Sequence, residues 1–244
     1  MSKASRNRQT ARETIARMRA ADAQRKRRRR WTAGIGGAAV IIAAAAVSLA
    51  VISAGGHPAG AGGKAKMKLA AVSTLGKLAP APFPGSPGPE GVPVPAAAPL
   101  ASTASDATGR TVDGISCQSS EGTLFHIHAY LTIVINGSPR QVPADIGVAG
   151  SCLYWLHTHA ADGIVHIESP VRRTFTLGQI FDVWGQPLGP DRIGPAAGHV
   201  TALYNGKVYQ GNPRDLPLST HAQIQLEIGT PLVAQRTLTF PGGL

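Results

Sequence analysis

The C-terminal half of the chain contains stretches in which apolar and polar residues alternate. Residues 124–135 carry apolar side chains at every odd position from Phe125 to Ile135, and His126 and His128 lie between them. Successive side chains of a β-strand point to opposite faces of its sheet, so this stretch predicts a strand whose histidines point away from its apolar face. Residues 222–229 alternate in the same way and predict the last strand of the chain.

Short turn signals connect the predicted strands. Asn136-Gly137 directly follows the first alternating stretch, and Asn205-Gly206 separates two short apolar runs. Asn-Gly is the residue pair that two-residue hairpin turns favour, because both positions need a positive φ. The two pairs therefore predict two β-hairpins.

One segment, residues 176–185, has the pattern of a short helix. Thr176 and Gln179 have the spacing of a capping box, and Gly185 suits the C-terminal end of a helix. The apolar residues of this segment recur at helical spacing and predict one buried face, formed by Leu177, Ile180, Phe181 and Trp184. Several strands around a single helix predict an α+β fold with a mostly antiparallel sheet of the β-grasp type, and a β-sandwich is the alternative.

The charge of the chain is concentrated at its N-terminus. Residues 1–30 hold 12 Lys/Arg and 2 Asp/Glu, for a charge of +10, whereas residues 112–244 hold 7 basic and 9 acidic residues, for −2. A basic tail can bind nucleic acid. This one directly precedes an apolar run, which favours a topology signal instead, and we expect no nucleic-acid partner. The sequence indicates no particular protein partner.

The uncharged apolar run, residues 31–54, is long enough to cross a bilayer as a helix, which takes about 20 residues. Its basic flank predicts a cytoplasmic N-terminus by the positive-inside rule. We therefore expect a basic cytoplasmic tail over 1–30, a single-pass signal-anchor in the plasma membrane over 31–54, and the remainder outside the cytoplasm. A cleaved signal peptide is the alternative, disfavoured because the run exceeds the usual 7–15-residue apolar region.

Residues 55–111 are rich in Pro, Ala and Gly and predict a disordered linker. Eight prolines fall within residues 80–99, which favours an extended polyproline-like tether, with plain disorder as the alternative. The remaining residues, 112–244, have the size of one extracytoplasmic globular domain. Both cysteines, Cys117 and Cys152, lie in it, and an oxidising compartment favours a disulfide between them. The alternative is that Cys152 acts as a thiolate metal ligand near His157.

Five histidines form two clusters, and each cluster contains a His-x-His pair that a strand would place on one face. His126 and His128 form the first pair. In the second cluster, Asp162-Gly163 is a further hairpin signal. A two-residue turn there places His159 opposite His166, and a four-residue loop places His157 opposite His166. Either register keeps His157, His159, His166 and Glu168 on one face, because the shift between the registers is even.

Imidazole is the commonest protein ligand for transition metals. Three neutral imidazoles with an open position are typical of catalytic zinc, and planar nitrogens are typical of Cu(II). The sequence therefore predicts a site for divalent copper or zinc, with His157, His159 and His166 as primary ligands and His126 and His128 contributing or forming an adjacent site. His199 and His221 lack such partners and are expected to be ordinary surface histidines.

Three functions are compatible with these residues. The first is a non-catalytic metal-binding module. The second is a zinc-dependent hydrolase or lyase, in which Glu168 acts as general base on a metal-bound water. The third is a structural or interaction domain in which the histidines form a pH-responsive face. Outside an enzyme, Glu168 would be a fourth ligand or would orient a histidine.

Two long motifs resemble a family of secreted or membrane-anchored bacterial and archaeal proteins. They are CLYWLHTHAADGIVHIESP at 152–170 and TLGQIFDVWGQPL at 176–188, with the His-x-His pair upstream. The resemblance covers residues 124–244 and implies an extracytoplasmic domain, but it supplies no mechanism. Within its motifs lie His126, His128, His157, His159, Asp162, His166 and Glu168.

Overall fold

A computed structural model describes residues 67–103 and 108–244 of the chain. The predicted basic tail, the predicted signal-anchor at 31–54 and residues 55–66 of the predicted linker lie outside the described residues. Within the described ranges, no helix is long and apolar enough to cross a membrane. Residues 67–244 form one compact unit.

The described residues form mostly short strands and one α-helix. Helix α1 is Leu177–Trp184, and two 3-10 helices are Val72–Leu75 and Pro213–Asp215. The strands are β1 (Leu69–Ala71), β2 (Gly85–Pro87), β3 (Pro93–Pro95), β4 (Cys117–Gln118), β5 (Phe125–Ile135), β6 (Ser138–Arg140), β7 (Val148–Ala149), β8 (Cys152–Tyr154), β9 (Leu156–His157), β10 (Ile164–Ser169), β11 (Leu188–Gly189), β12 (Arg192–Ile193), β13 (Ala196–Ala197), β14 (Val200–Tyr204), β15 (Lys207–Tyr209) and β16 (Ala222–Ile228).

The main sheet has eight strands in the order β1-β15-β14-β16-β5-β10-β9, and β6 pairs with β5 as well. Strand pairs in it are antiparallel except for β5 and β16, which run parallel at its centre. Both Asn-Gly turns form as predicted, between β5 and β6 and between β14 and β15, with positive φ at Asn136, Gly137, Asn205 and Gly206. The structure confirms an α+β fold with a mostly antiparallel sheet and one helix.

Helix α1 packs on one face of this sheet. It begins after Thr176, whose backbone N–H donates to the Gln179 side chain at 3.1 Å, and it ends at Gly185 in the left-handed conformation. Its predicted apolar face is buried, and it shares one core with the inward residues of the sheet, among them Leu131, Val165, Ile167 and Leu226. The buried helical face anchors these strands from one side.

The opposite face of the main sheet carries the polar residues of the same alternating pattern, including His128, Tyr130, His166, Glu168 and Gln225. These side chains are nevertheless buried. A smaller apolar cluster of Val92, Tyr130 and Ile164 covers part of this face, together with Leu238, Phe240 and Leu244 near the end of the chain. Tertiary packing therefore places the polar face of the sheet inside the protein.

The described part of the predicted linker differs from the extended tether that its composition predicts. β1 pairs with β15, β2 and β3 form a hairpin, and the compact unit begins at Met67 and not at residue 112. The side chain of Val92 is fully buried against Tyr130 and Ile164. Burying an apolar side chain is favourable by about 1.5–3 kcal/mol, which offsets part of the entropy lost when a proline-rich segment becomes ordered.

Cys117 and Cys152 form the predicted disulfide, with their Cα atoms 5.4 Å apart. Strand β4 pairs with β8, and Cys117 opposes Tyr154 in that ladder. The bridge therefore ties the segment before β5 to the strand that leads into the second histidine cluster. With its sulfur in a disulfide, Cys152 is excluded as a thiolate ligand.

Candidate metal centre

Cross-strand pairing brings the two histidine clusters together around His166. On one side of β10, His166 opposes His128 of β5, and Glu168 opposes His126. On the other side, His166 opposes His157 of β9, which is the register predicted for a four-residue loop. Opposed residues share a face of the sheet. Three neighbouring strands therefore present their histidines to one location.

The Asp162-Gly163 turn fits closely against the neighbouring strand β5. The backbone N–H of Leu131 donates to the Gly163 carbonyl at 2.8 Å, and a Cβ at Gly163 would collide with the Leu131 carbonyl. Asp162 accepts a hydrogen bond from the Ile164 backbone N–H at 3.0 Å. The Asp-Gly pair thus serves the turn that leads from β9 into β10.

One set of possible ligands, here called the outer group, consists of His126, His128, His166 and Glu168. The Nε2 atoms of His126 and His128 are 3.0 Å apart, and His126 Nε2 lies 3.2 Å from Glu168 Oε1. His166 Nδ1 lies 3.5 Å from the same carboxylate oxygen. His126 is the exposed member, with 41% of its side chain accessible to solvent.

A second set, here called the inner group, consists of His157, His159, His166 and Glu168. The Nε2 atoms of His157 and His159 are 3.3 Å apart. His157 is fully buried, and its Nδ1–H donates to the Tyr154 carbonyl at 2.8 Å. Because a carbonyl can only accept, this bond fixes the neutral tautomer and leaves the Nε2 lone pair facing His159.

The donor atoms within each group lie within 4.8 Å of one another, which suits one metal ion. Two nitrogens bound to one tetrahedral zinc at about 2.0–2.1 Å are separated by about 3.3 Å. The distances of 3.0 and 3.3 Å in the two His-x-His pairs are close to that value. Glu168 Oε2 is buried and has no hydrogen-bond partner in the described part of the chain, so it is a further donor atom for a cation. The residues present therefore fit a divalent transition metal.

Two carboxylates outside the predicted set also contact the histidines. Glu90, between β2 and β3, approaches His166 Nε2 to 3.2 Å through Oε1, and its side chain is 6% exposed. Glu121 Oε1 lies 3.8 Å from His159 Nε2. Sequence reasoning missed both residues. The one available signal was that Glu90 is the only charged residue in the proline-rich stretch 80–99.

Burial and mutual repulsion keep two of the histidines neutral. The pKa of His128 is lowered to about 3, chiefly by burial and also by the neighbouring His166 and His126. The pKa of His157 is lowered to about 4 because its burial outweighs the opposing effect of Glu168, and His166 makes a smaller contribution that also lowers it. Neutral imidazoles carry the lone pair that a metal ion needs. His128 and His157 are thus available as ligands at neutral pH.

His166 has the opposite protonation preference. Its burial lowers the pKa, but hydrogen bonds to Glu168 and Glu90 outweigh that effect and raise the pKa to about 9. Burial raises the pKa of Glu168, whereas hydrogen bonds from His126 and His166 dominate and hold it well below its usual range. In the metal-free protein at neutral pH, a protonated His166 lies between two carboxylates.

A pocket of about 330 Å³ opens beside the outer group and is lined by His126, Ile127, His128, Thr220, His221, Gly243 and Leu244.

His221 was expected to be an ordinary surface residue. It is exposed, its Nε2–H donates to the Leu244 carbonyl oxygen at 3.0 Å, and its ring stacks on Phe240. His199 is also exposed and belongs to neither group. The structure therefore brings five histidines and Glu168 together and leaves these two outside.

Comparison with known proteins finds no family model, no curated protein and no solved structure that matches the chain.

Proposed function

We propose that this protein is a membrane-anchored, extracytoplasmic domain that binds a divalent transition metal, copper or zinc, through His126, His128, His157, His159 and His166. A single observation supports the proposal. Five imidazoles and a buried carboxylate form two overlapping ligand groups, with the donor atoms of each group within 4.8 Å of one another. Burying a charged group is costly unless the group is paired or binds a metal ion. Metal binding would therefore account for a buried carboxylate among these imidazoles.

The donor set favours zinc and Cu(II) over other ions. Imidazole nitrogen and carboxylate oxygen suit both, whereas Cu(I) prefers sulfur ligands. Both cysteines are paired, and the three methionines fall at positions 1, 18 and 67, outside the ligand groups. The two His-x-His pairs, one in β5 and one that begins in β9 on the other side of β10, supply nitrogens in the close spacing that either metal accepts.

The test is the metal content of the full chain, purified in mild detergent without a histidine tag and measured by mass spectrometry. The wild type is compared with a His157→Ala/His159→Ala double variant and with His199→Ala, an exposed histidine outside both groups. We expect at least one copper or zinc ion per chain in the wild type and in His199→Ala, and a clear loss in the double variant.

If the wild type binds no metal, even after reconstitution with Cu(II) and with Zn(II), the proposal is wrong. The histidines would then be interpreted as a pH-responsive polar face. Equal metal content in the double variant and the wild type would exclude His157 and His159 as ligands and leave only the first His-x-His pair.

A zinc-dependent hydrolase or lyase is the second candidate, and the pocket beside His126 and His128 favours it. A volume of about 330 Å³ is within the range of small-molecule sites. In that case a zinc-bound water would lose its proton near neutral pH, and Glu168 would act as general base. Turnover of small esters by the zinc-loaded chain, lost in Glu168→Gln with zinc retained, would establish this alternative.

The location, the finer fold and the family are parts of the same proposal. The apolar run at 31–54 and its basic flank support a single-pass anchor, and the disulfide is compatible with an oxidising compartment. A parallel pair of strands, β5 and β16, at the centre of the sheet with α1 on one face supports a β-grasp arrangement. The motifs at 152–170 and 176–188 support membership of the secreted or membrane-anchored family that they resemble.

A further inference from the structure

The outer and inner groups share two residues, His166 and Glu168, and differ in their exposure. The outer group has one side chain, that of His126, which is 41% exposed beside an open pocket. In the inner group, His157 is fully buried and the His159 side chain is 7% exposed. The same centre therefore contains one position near solvent and one position away from it.

The two carboxylate oxygens of Glu168 differ in their contacts. Its Oε1 lies 3.2 Å from His126 Nε2 and 3.5 Å from His166 Nδ1. Its Oε2 is buried and has no hydrogen-bond partner in the described residues. Leaving a buried carboxylate oxygen unsatisfied is unfavourable, so a ligand for it is expected. A carboxylate that binds one cation through each oxygen is a bridge.

The charges around the centre also favour more than one divalent cation. Three carboxylates contact its histidines, namely Glu168 at His126, Glu90 at His166 and Glu121 at His159. A single divalent ion would offset two of the three negative charges of these carboxylates. A second ion would offset the third charge and give each His-x-His pair its own cation.

We infer that the centre holds two divalent ions at once, an exchangeable ion in the outer group and a retained ion in the inner group, bridged by Glu168. The inference rests on the proposed function. His126 and His128 form the access side, where an ion enters from the pocket, and His157 and His159 hold the second ion away from solvent. The single lone pair of an imidazole nitrogen binds one ion, so His166 serves one of the two ions and Glu168 alone bridges them.

The first experiment is a Cu(II) titration of the full chain, followed by electron paramagnetic resonance. We expect two Cu(II) per chain, with the resonance of the first equivalent diminished by spin coupling when the second binds. His126→Ala and His159→Ala should each bind one Cu(II) with an uncoupled spectrum. His199→Ala, at an exposed position outside both groups, should keep two coupled ions.

The second experiment measures exchange with a chelator. From the wild type, one Cu(II) should leave at least tenfold faster than the other. His126→Ala should retain only the slow ion, and His159→Ala only the fast one. Because His126 is exposed, its alanine variant is expected to fold, and circular dichroism checks this for both variants.

The outcomes separate this inference from the proposed function. A single Cu(II) per chain in the wild type, weakened by both alanine variants, would overturn the two-ion centre and leave metal binding intact. Two ions without spin coupling would overturn the bridge through Glu168. No bound Cu(II) and no bound Zn(II) would remove both proposals. If His159→Ala fails to fold, the His126→Ala arm still decides, because loss of coupling with one slow ion retained is expected only for two positions.

Discussion

Glu90 Oε1 lies 3.2 Å from His166 Nε2, although the two residues are 76 positions apart and Glu90 belongs to a proline-rich hairpin. Both side chains are more than nine-tenths buried. The contact places a negative charge beside the histidine that both ligand groups share. The hairpin of β2 and β3 is therefore part of the candidate metal centre and its cover on one side.

Replacing Glu90 with Gln should lower the pKa of His166. The opposite charge beside an imidazole raises its pKa by about 1–3 units, and the neutral amide removes that effect. We expect the pKa of His166, about 9 in the wild type, to fall by about one unit or more in the metal-free variant. The measurement is a nuclear magnetic resonance titration of the histidine ring protons.

Glu121→Gln is the matched control for this experiment. Glu121 lies 3.8 Å from His159. The groups that raise the pKa of His166 are Glu168 and Glu90, and Glu121 is not one of them. An equal fall in both variants would contradict a specific pair between Glu90 and His166.

Metal binding should release about one proton per chain at pH 7. His128 and His157, whose pKa values are lowered to about 3 and 4, carry no proton there, whereas His166, with a pKa raised to about 9, does. A metal ion must displace that proton, so the apparent affinity should rise with pH up to about 9, approximately tenfold per unit. Calorimetry in buffers of different ionisation enthalpy counts the protons. Release of none would show that His166 is not a ligand.

The three histidines with shifted pKa values should contribute most to the stability of the metal-free protein near pH 6.5. His128 and His157 have lowered pKa values in the folded state, so the unfolded chain binds more protons below 6.5 and stability falls as pH drops from there towards about 4. His166 has a raised pKa, so its contribution is present below 6.5 and is lost as pH rises towards about 9. Denaturant unfolding at several pH values tests this. Stability that rises between pH 6.5 and 4 would contradict the buried neutral histidines.

Val92→Ala should destabilise the protein by about 1.5–3 kcal/mol, the value of burying a valine side chain. Val92 is fully buried against Tyr130 and Ile164, and its loss should loosen the hairpin that carries Glu90. Denaturant unfolding measures the change in free energy, and hydrogen exchange over residues 85–95 locates it. The same substitution at Val171, which is 42% exposed, is the control and should stay within about 0.5 kcal/mol.

Removing the disulfide with a Cys117→Ser/Cys152→Ser double variant should cost about 2–4 kcal/mol, because the bridge closes a loop of 35 residues in the unfolded chain. Unfolding by denaturant with and without reductant measures this cost. The wild type should show no reactive thiol when it is denatured without reductant. Two titratable thiols would contradict the bridge and return Cys152 to the set of possible ligands.

The sequence alone determined the features that depend on neighbouring residues. Asn136-Gly137 and Asn205-Gly206 predicted their hairpins because few residue pairs accept two positive φ angles in succession. Thr176, Gln179 and Gly185 predicted both ends of α1 because capping is decided within one turn of the helix. The period of two along a strand was sufficient to place His157, His159, His166 and Glu168 on one face.

Only the tertiary structure decided how these local elements meet. The sequence left two registers open for His166. Packing of β9 on α1 and of β10 on β5 selects the register in which His166 opposes His157. Nothing local predicted that β5 lies beside β10, or that Glu90 and Glu121 reach the histidines. The pKa values of His128 and His166 diverge because burial and charged neighbours come from distant segments. Contacts of this kind depend on the three-dimensional packing of the whole domain, which rules about neighbouring residues cannot predict.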